Sequence, residues 1–157
     1  MKRLRKILAA IAATLFAVGC GGKTYVPGSP EFMELEGQVQ AAAFGLHTAI
    51  CLFDGSAPGV AAESQGLAAK LVEELEAGGP ASLTIQDVVL AAVAAGTDDD
   101  TRIRIEGAVL SFEGFWQASI GKPLPGAGEE VDPWISELIL VVLEVLEMPC
   151  PHVTNDF

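Results

Sequence analysis

"WISELILVVLEVLEM", residues 134–148, decides the fold. Its fifteen residues carry only three charges, Glu137, Glu144 and Glu147, and are apolar on most sides. A bilayer-spanning helix needs about 20 apolar residues, so the run is too short for that role. A helix that is apolar nearly all round belongs in the centre of a protein core. The β-branched residues also fit a buried strand, and a short apolar run cannot be assigned by period alone. Its flanks point to a helix. Asp132-Pro133 offers an N-cap followed by proline at the first helical position. Upstream, a Gly/Pro-rich loop from Gly121 to Glu130 separates it from the preceding element.

That element begins in "TDDDTRIRIEG", residues 97–107. Its alternation suits a strand, but Asp98 to Asp100 followed by Ile105, Ala108, Val109, Phe112, Phe115 and Trp116 fits a helix better. Arg102 and Glu106 would pair one turn apart. Three more amphipathic segments precede it. Ser29-Pro30 opens a helix whose stripe is Phe32, Leu35, Val39, Ala42, Leu46, Ile50 and Phe53, stopped by Asp54-Gly55. Pro58 opens a second, with Leu67, Leu71 and Leu75 inside and Glu73, Glu74 and Glu76 outside, closed by Gly78-Gly79-Pro80. Thr84 and Asp87 resemble a capping box, with Asp in the usual Glu place, ahead of Val88, Val89, Ala92 and Val93 and a stop at Gly96. The expectation is an all-α fold, a small up-down bundle of four or five helices, with residues 31–157 as one helical domain.

The chain start reads differently. "MKRLRK" carries four positive charges, and the thirteen residues Ile7 to Gly19 carry none. A basic start, a short apolar run and small residues before a cut are the layout of an export signal. The run ends in "FAVGC", which resembles the lipobox of bacterial lipoproteins, with Ala17 where leucine is usual. The resemblance covers residues 1–20 alone. It implies that Cys20 is joined to a diacylglyceryl group, the chain is cut after Gly19 and the new amino terminus is acylated. Two or more acyl chains hold a protein stably where one does not. Gly21 after the cysteine, by the same analogy, implies sorting to the outer membrane, facing the periplasm. The other reading is an ordinary secretory signal or short anchor, with Cys20 a bystander. On the lipoprotein reading residues 1–19 are the signal and 20–30, the lipidated cysteine and "GGKTYVPGSP", are a tether. Ten extended residues reach at most about 35 Å, which keeps the domain near the bilayer.

Loss of residues 1–19 would remove Lys2, Arg3, Arg5 and Lys6, leaving five basic against 21 acidic residues and a net charge of −16. Such a chain repels nucleic acid and anionic headgroups. The partners expected are therefore the membrane, through the lipid on Cys20, and another protein of the envelope.

Two cysteines remain, Cys51 and Cys150, each with a histidine near: His47 one helical turn before the first, His152 two residues after the second. If five helices alternate in direction, the first and fifth run parallel and their C-terminal ends meet, away from the lipid. An exported protein with an even pair of cysteines points to a disulfide. The alternative is a soft-metal site: two thiolates and two imidazoles suit zinc, and Met148 nearby would also suit Cu(I). The spacing matches no standard zinc motif. No G-x-S-x-G elbow, Walker loop, H-E-x-x-H or paired C-x-x-C is present, so no enzyme is expected. Asp98, Asp99 and Asp100 lack the alternating spacing of a calcium loop, and Glu137 and Glu144 have no His or Lys beside them for acid–base work. Trp116 and Trp134 fit packing better than a ligand cage. The sequence thus points to an acidic, lipid-anchored helical protein in an interaction or structural role. The alternative is a periplasmic zinc- or copper-handling lipoprotein using His47, Cys51, Cys150 and His152.

Overall fold

The computed structural model describes residues 23–54, 59–78, 81–82, 84–94 and 99–151. The signal and Cys20, the stops and starts at Gly55, Pro58, Gly79-Pro80 and Gly96, Asp98, and His152 lie outside the described residues. Five helices follow one another: α1 (Pro30–Asp54), α2 (Val60–Glu76), α3 (Ile85–Ala94), α4 (Asp99–Ile120) and α5 (Pro133–Glu147). No strand occurs among the described residues. The fold is an all-α bundle, and both segments that could have been strands, "TRIRIE" and "LILVVLEVL", are helical.

Local chemistry explains the helix ends. Ser29 Oγ accepts the Phe32 amide (3.2 Å) and its carbonyl accepts that of Met33 (2.9 Å), with Pro30 as first helical residue. Thr84 and Asp87 form the reciprocal box. The Asp87 amide donates to Thr84 Oγ1 at 3.0 Å, and the Thr84 amide and hydroxyl both donate to Asp87 Oδ2 at 2.8 Å. Asp99 and Asp100 occupy the positive first turn of α4, and Gly121, at φ +76°, ends it in the left-handed region. Asp132 departs from the expectation. Its carbonyl accepts the Ile135 and Ser136 amides, but its carboxylate makes no cap bond and reaches Lys122 Nζ instead, at 2.7 Å.

Buried faces follow the sequence stripes with small shifts. In α1 the core residues are Phe32, Leu35, Val39, Ala43, Leu46 and Ile50, with Ala42 at the edge; the Phe53 side chain lies outside the described set. In α2 the stripe is rotated, with Ala61, Ser64, Ala68 and Leu71 buried and Leu67 and Leu75 only half-buried. Small residues face inward there, so neighbouring helices can approach closely. In α4 Ile105, Val109, Phe112, Trp116 and Ile120 are buried. Eight residues of α5 are buried, among them Trp134, Leu138, Val142 and Leu143, which makes it the core helix expected. Full burial of each such side chain stabilises the fold by about 1.5–3 kcal/mol before entropy is subtracted. Arg102 sits closer to Asp99 (3.1 Å) than to Glu106 (3.9 Å), and both pairs are exposed, where such contacts contribute little.

α5 packs against both α1 and α2, α4 against α1, and α3 against α2 and α4. Directions alternate. Tyr25, just before α1, meets Trp134 at the start of α5 with ring centroids 5.3 Å apart. Cys51 near the end of α1 meets Cys150 just after α5. The two helices therefore run parallel, with both pairs of ends in register. Gln65, early in α2, reaches Met148 at the end of α5, so α2 runs the opposite way. The bundle thus has a tether end, carrying residue 23, and a distal end, carrying residue 150.

Candidate functional site

The distal end is built by "MPC", residues 148–150. Pro149 has no amide hydrogen to donate and disfavours helical geometry in the residue before it. Met148 accordingly turns extended (φ −58°, ψ 139°) and α5 stops. Its carbonyl leaves the helix ladder and meets two donors. His47 Nε2 from α1 and Gln65 Nε2 from α2 each donate to it at 2.8 Å. One carbonyl oxygen, with its two lone pairs, joins three helices.

Beside this junction Cys51 and Cys150 stand at disulfide bonding distance, S–S 2.08 Å with Cα atoms 5.3 Å apart and a sequence separation of 99. That Cα separation lies within the range a disulfide needs. His47 sits one turn before Cys51 and touches its sulfur, with Nε2 at 3.4 Å and Nδ1 at 3.8 Å. A histidine beside a cysteine is commonly at the surface, yet His47 is only 7% exposed. Because a carbonyl can only accept, Nε2 carries the hydrogen it donates, and in the neutral ring Nδ1 keeps the lone pair. Both cysteines are half-buried.

Of the four residues proposed as a ligand set, the structure brings His47, Cys51 and Cys150 together, with their ligand atoms all within 4.8 Å of one another. His152 lies outside the described residues. With the sulfurs bonded to each other, neither is a thiolate, and the metal reading does not apply to this state. Sequence reasoning missed Gln65 and the Met148 carbonyl. Pro149 is the signal that could have found the carbonyl, since it predicts where a helix must release its chain. Glu137 and Glu144 are exposed, and Trp116 and Trp134 are buried in the core.

The tether end is looser. A cavity of 430 Å³ opens between the end of α2, the start of α3, the loop 121–132 and the start of α5. Leu71, Leu75, Ile85, Leu124, Val131 and Ile139 contribute apolar surface, and Glu129 and Glu130 stand at its edge. The Glu129 carboxylate is already engaged, accepting the Gly126 amide at 2.7 Å. Across the same end Ser82 donates its amide (2.8 Å) and hydroxyl (2.7 Å) to the Glu74 carboxylate. These bonds, with a smaller contribution from Lys70, hold Glu74 below the ordinary carboxylate pKa. No helix among the described residues is long and apolar enough to cross a membrane. Comparisons with protein-family models, with curated proteins and with solved structures give no match.

Proposed function

We propose that the chain is a lipid-anchored, acidic helical protein of the bacterial envelope, probing or holding another envelope protein rather than carrying out a reaction. The observation that carries this reading is the run ending in "AVGC" placed ten residues ahead of α1. The geometry of the bundle is compatible with it. An anchor at Cys20 leaves the first described residues, the Tyr25–Trp134 contact and the cavity on the membrane side, and the cysteine pair on the far side. Large apolar side chains on the outer faces of neighbouring helices support a protein partner: Met33 and Phe44, three turns apart on α1, and Ile103 and Leu110, two turns apart on α4, are all exposed. On a surface otherwise rich in acids they are the natural contact points for a partner.

Two experiments address the two halves. Cys20→Ser should abolish lipid attachment and processing together, moving the protein out of the detergent phase. Persistence of the variant in membranes after alkaline washing contradicts the anchor. Photo-crosslinkers placed at Phe44 and Leu110 in intact cells should give one discrete heavier species that a crosslinker at Glu137 does not. The same band from all three positions, or none, contradicts a partner on that face.

A further inference from the structure

We propose that the distal end is a redox-gated soft-metal site: closed as the Cys51–Cys150 disulfide, and on reduction a three-ligand site for Zn²⁺ or Cu⁺ made by His47 Nδ1, Cys51 Sγ and Cys150 Sγ. Two independent observations carry it. The first is convergence, since a ring nitrogen of His47 and the two sulfurs lie within 4.8 Å of one another although they come from helix ends 99 positions apart in sequence. In a tetrahedral zinc site a nitrogen and a sulfur ligand stand about 3.6 Å apart and two sulfurs about 3.8 Å apart, from bond lengths of about 2.0 and 2.3 Å. His47 Nδ1 and Cys51 Sγ are 3.8 Å apart and Nε2 is nearer still at 3.4 Å, so a turn of the ring aims the Nδ1 lone pair at the sulfurs. The sulfurs need only part by rotation about their own side-chain torsions once the bond between them is broken.

The second observation is the bond made by the other ring nitrogen. A metal-binding histidine commonly donates its second ring N–H to a carboxylate or backbone carbonyl, which fixes the tautomer and raises the basicity of the ligating nitrogen. His47 Nε2 donates to the Met148 carbonyl at 2.8 Å, leaving Nδ1 as the nitrogen with a lone pair. Gln65 binds the same carbonyl, so the acceptor is itself held in place. Three protein ligands leave the fourth tetrahedral position open to water or another ligand.

A dithiol reductant gives two electrons and two protons to the Cys51–Cys150 bond, yielding two thiols, and is itself oxidised to a disulfide. The incoming ion displaces the two thiol protons, and the thiolates bind it. The proposal does not rest on the lipid anchor, and its test does not involve Cys20.

The test uses the full chain in detergent, oxidised or reduced, with Co²⁺ as a spectroscopic probe for zinc, followed by desalting and elemental analysis for Zn²⁺. Reduced protein should bind one equivalent and show thiolate-to-cobalt charge-transfer bands, while oxidised protein shows neither. His47→Ala should weaken binding by at least about tenfold. The double variant Cys51→Ser/Cys150→Ser, compared with reduced wild-type protein for helix content, should bind no metal while remaining as helical. Equal metal uptake by the oxidised form overturns the proposal, because it assigns binding to surface acids. So does a reduced protein that takes up no metal, or one that loses its helices and does not regain them with metal present.

Discussion

The two ends of the bundle hold the same pair of helices, α1 and α5, by opposite means. At the distal end one covalent bond and one doubly bonded carbonyl do the holding, through Cys51, Cys150, His47, Gln65 and Met148. At the tether end there is an aromatic contact, Tyr25 on Trp134, an exposed ion pair, Lys122–Asp132, and a loop closed by the Gly128 amide on the Ala81 carbonyl (2.8 Å), all around a cavity. The difference teaches where this fold is fixed and where it can yield. A disulfide acts mainly on the unfolded chain by shortening the loop it can explore, whereas surface pairs and single ring contacts add small, local increments. The distal end sets which helices are neighbours; the tether end adjusts how closely they meet.

The comparison breaks most readily at the sulfurs. Cys51→Ser/Cys150→Ser opens a loop of 99 residues, and the chain-entropy model gives a loss of about 4–5 kcal/mol. Denaturant unfolding followed by circular dichroism measures it. A loss under about 1 kcal/mol would mean that the carbonyl junction alone holds the end. His47→Ala is the next largest, at about 2 kcal/mol, because it empties a buried site and removes one of the two donors to Met148. The remaining Gln65 bond keeps the carbonyl satisfied and limits the cost. At the tether end Tyr25→Ala should cost only about 1 kcal/mol, the worth of an aromatic pair with partial burial. If Tyr25→Ala costs as much as removing the sulfurs, the contrast between the ends is wrong.

Smallest is the effect of Glu74, and it depends on pH. Its pKa is depressed in the folded state, so its contribution is present above the unfolded pKa and is lost as pH falls through the folded one. Acid should therefore weaken the Ser82 contact specifically. Glu74→Gln should flatten the slope of stability against pH below the ordinary carboxylate range, matching wild type in acid and falling slightly below it near neutral pH, the small difference expected for a contact at the surface. An identical slope for variant and wild type contradicts this account of Glu74.

The sequence made legible whatever is local. Spacings of three and four located the faces of α1 and α4, the nearly all-round apolar run marked α5 as the core helix, Ser29-Pro30 and Thr84 with Asp87 located two helix starts, and parity of helix count put Cys51 near Cys150. Less legible was anything shared between elements. The α2 face was read from Leu67, Leu71 and Leu75, but of these only Leu71 is buried, beside Ala61, Ser64 and Ala68, since close packing selects small residues that hydrophobic counting overlooks. Asp132 looked like a side-chain cap, yet Lys122, which arrives from the loop, takes its carboxylate. Met148 could not be found by side-chain chemistry, because its contribution is a backbone oxygen exposed by the proline after it. The cavity depends on four separate segments and has no pattern in any of them.

The central claim is that α1 and α5 are joined at the distal end by the Cys51–Cys150 bond. The direct measurement is mass spectrometry of protein purified without reductant, unfolded and alkylated, then digested. The account predicts one cross-linked species joining the peptides that contain Cys51 and Cys150, with no alkyl group on either. Full alkylation of both cysteines, with the two peptides running separately, would contradict it.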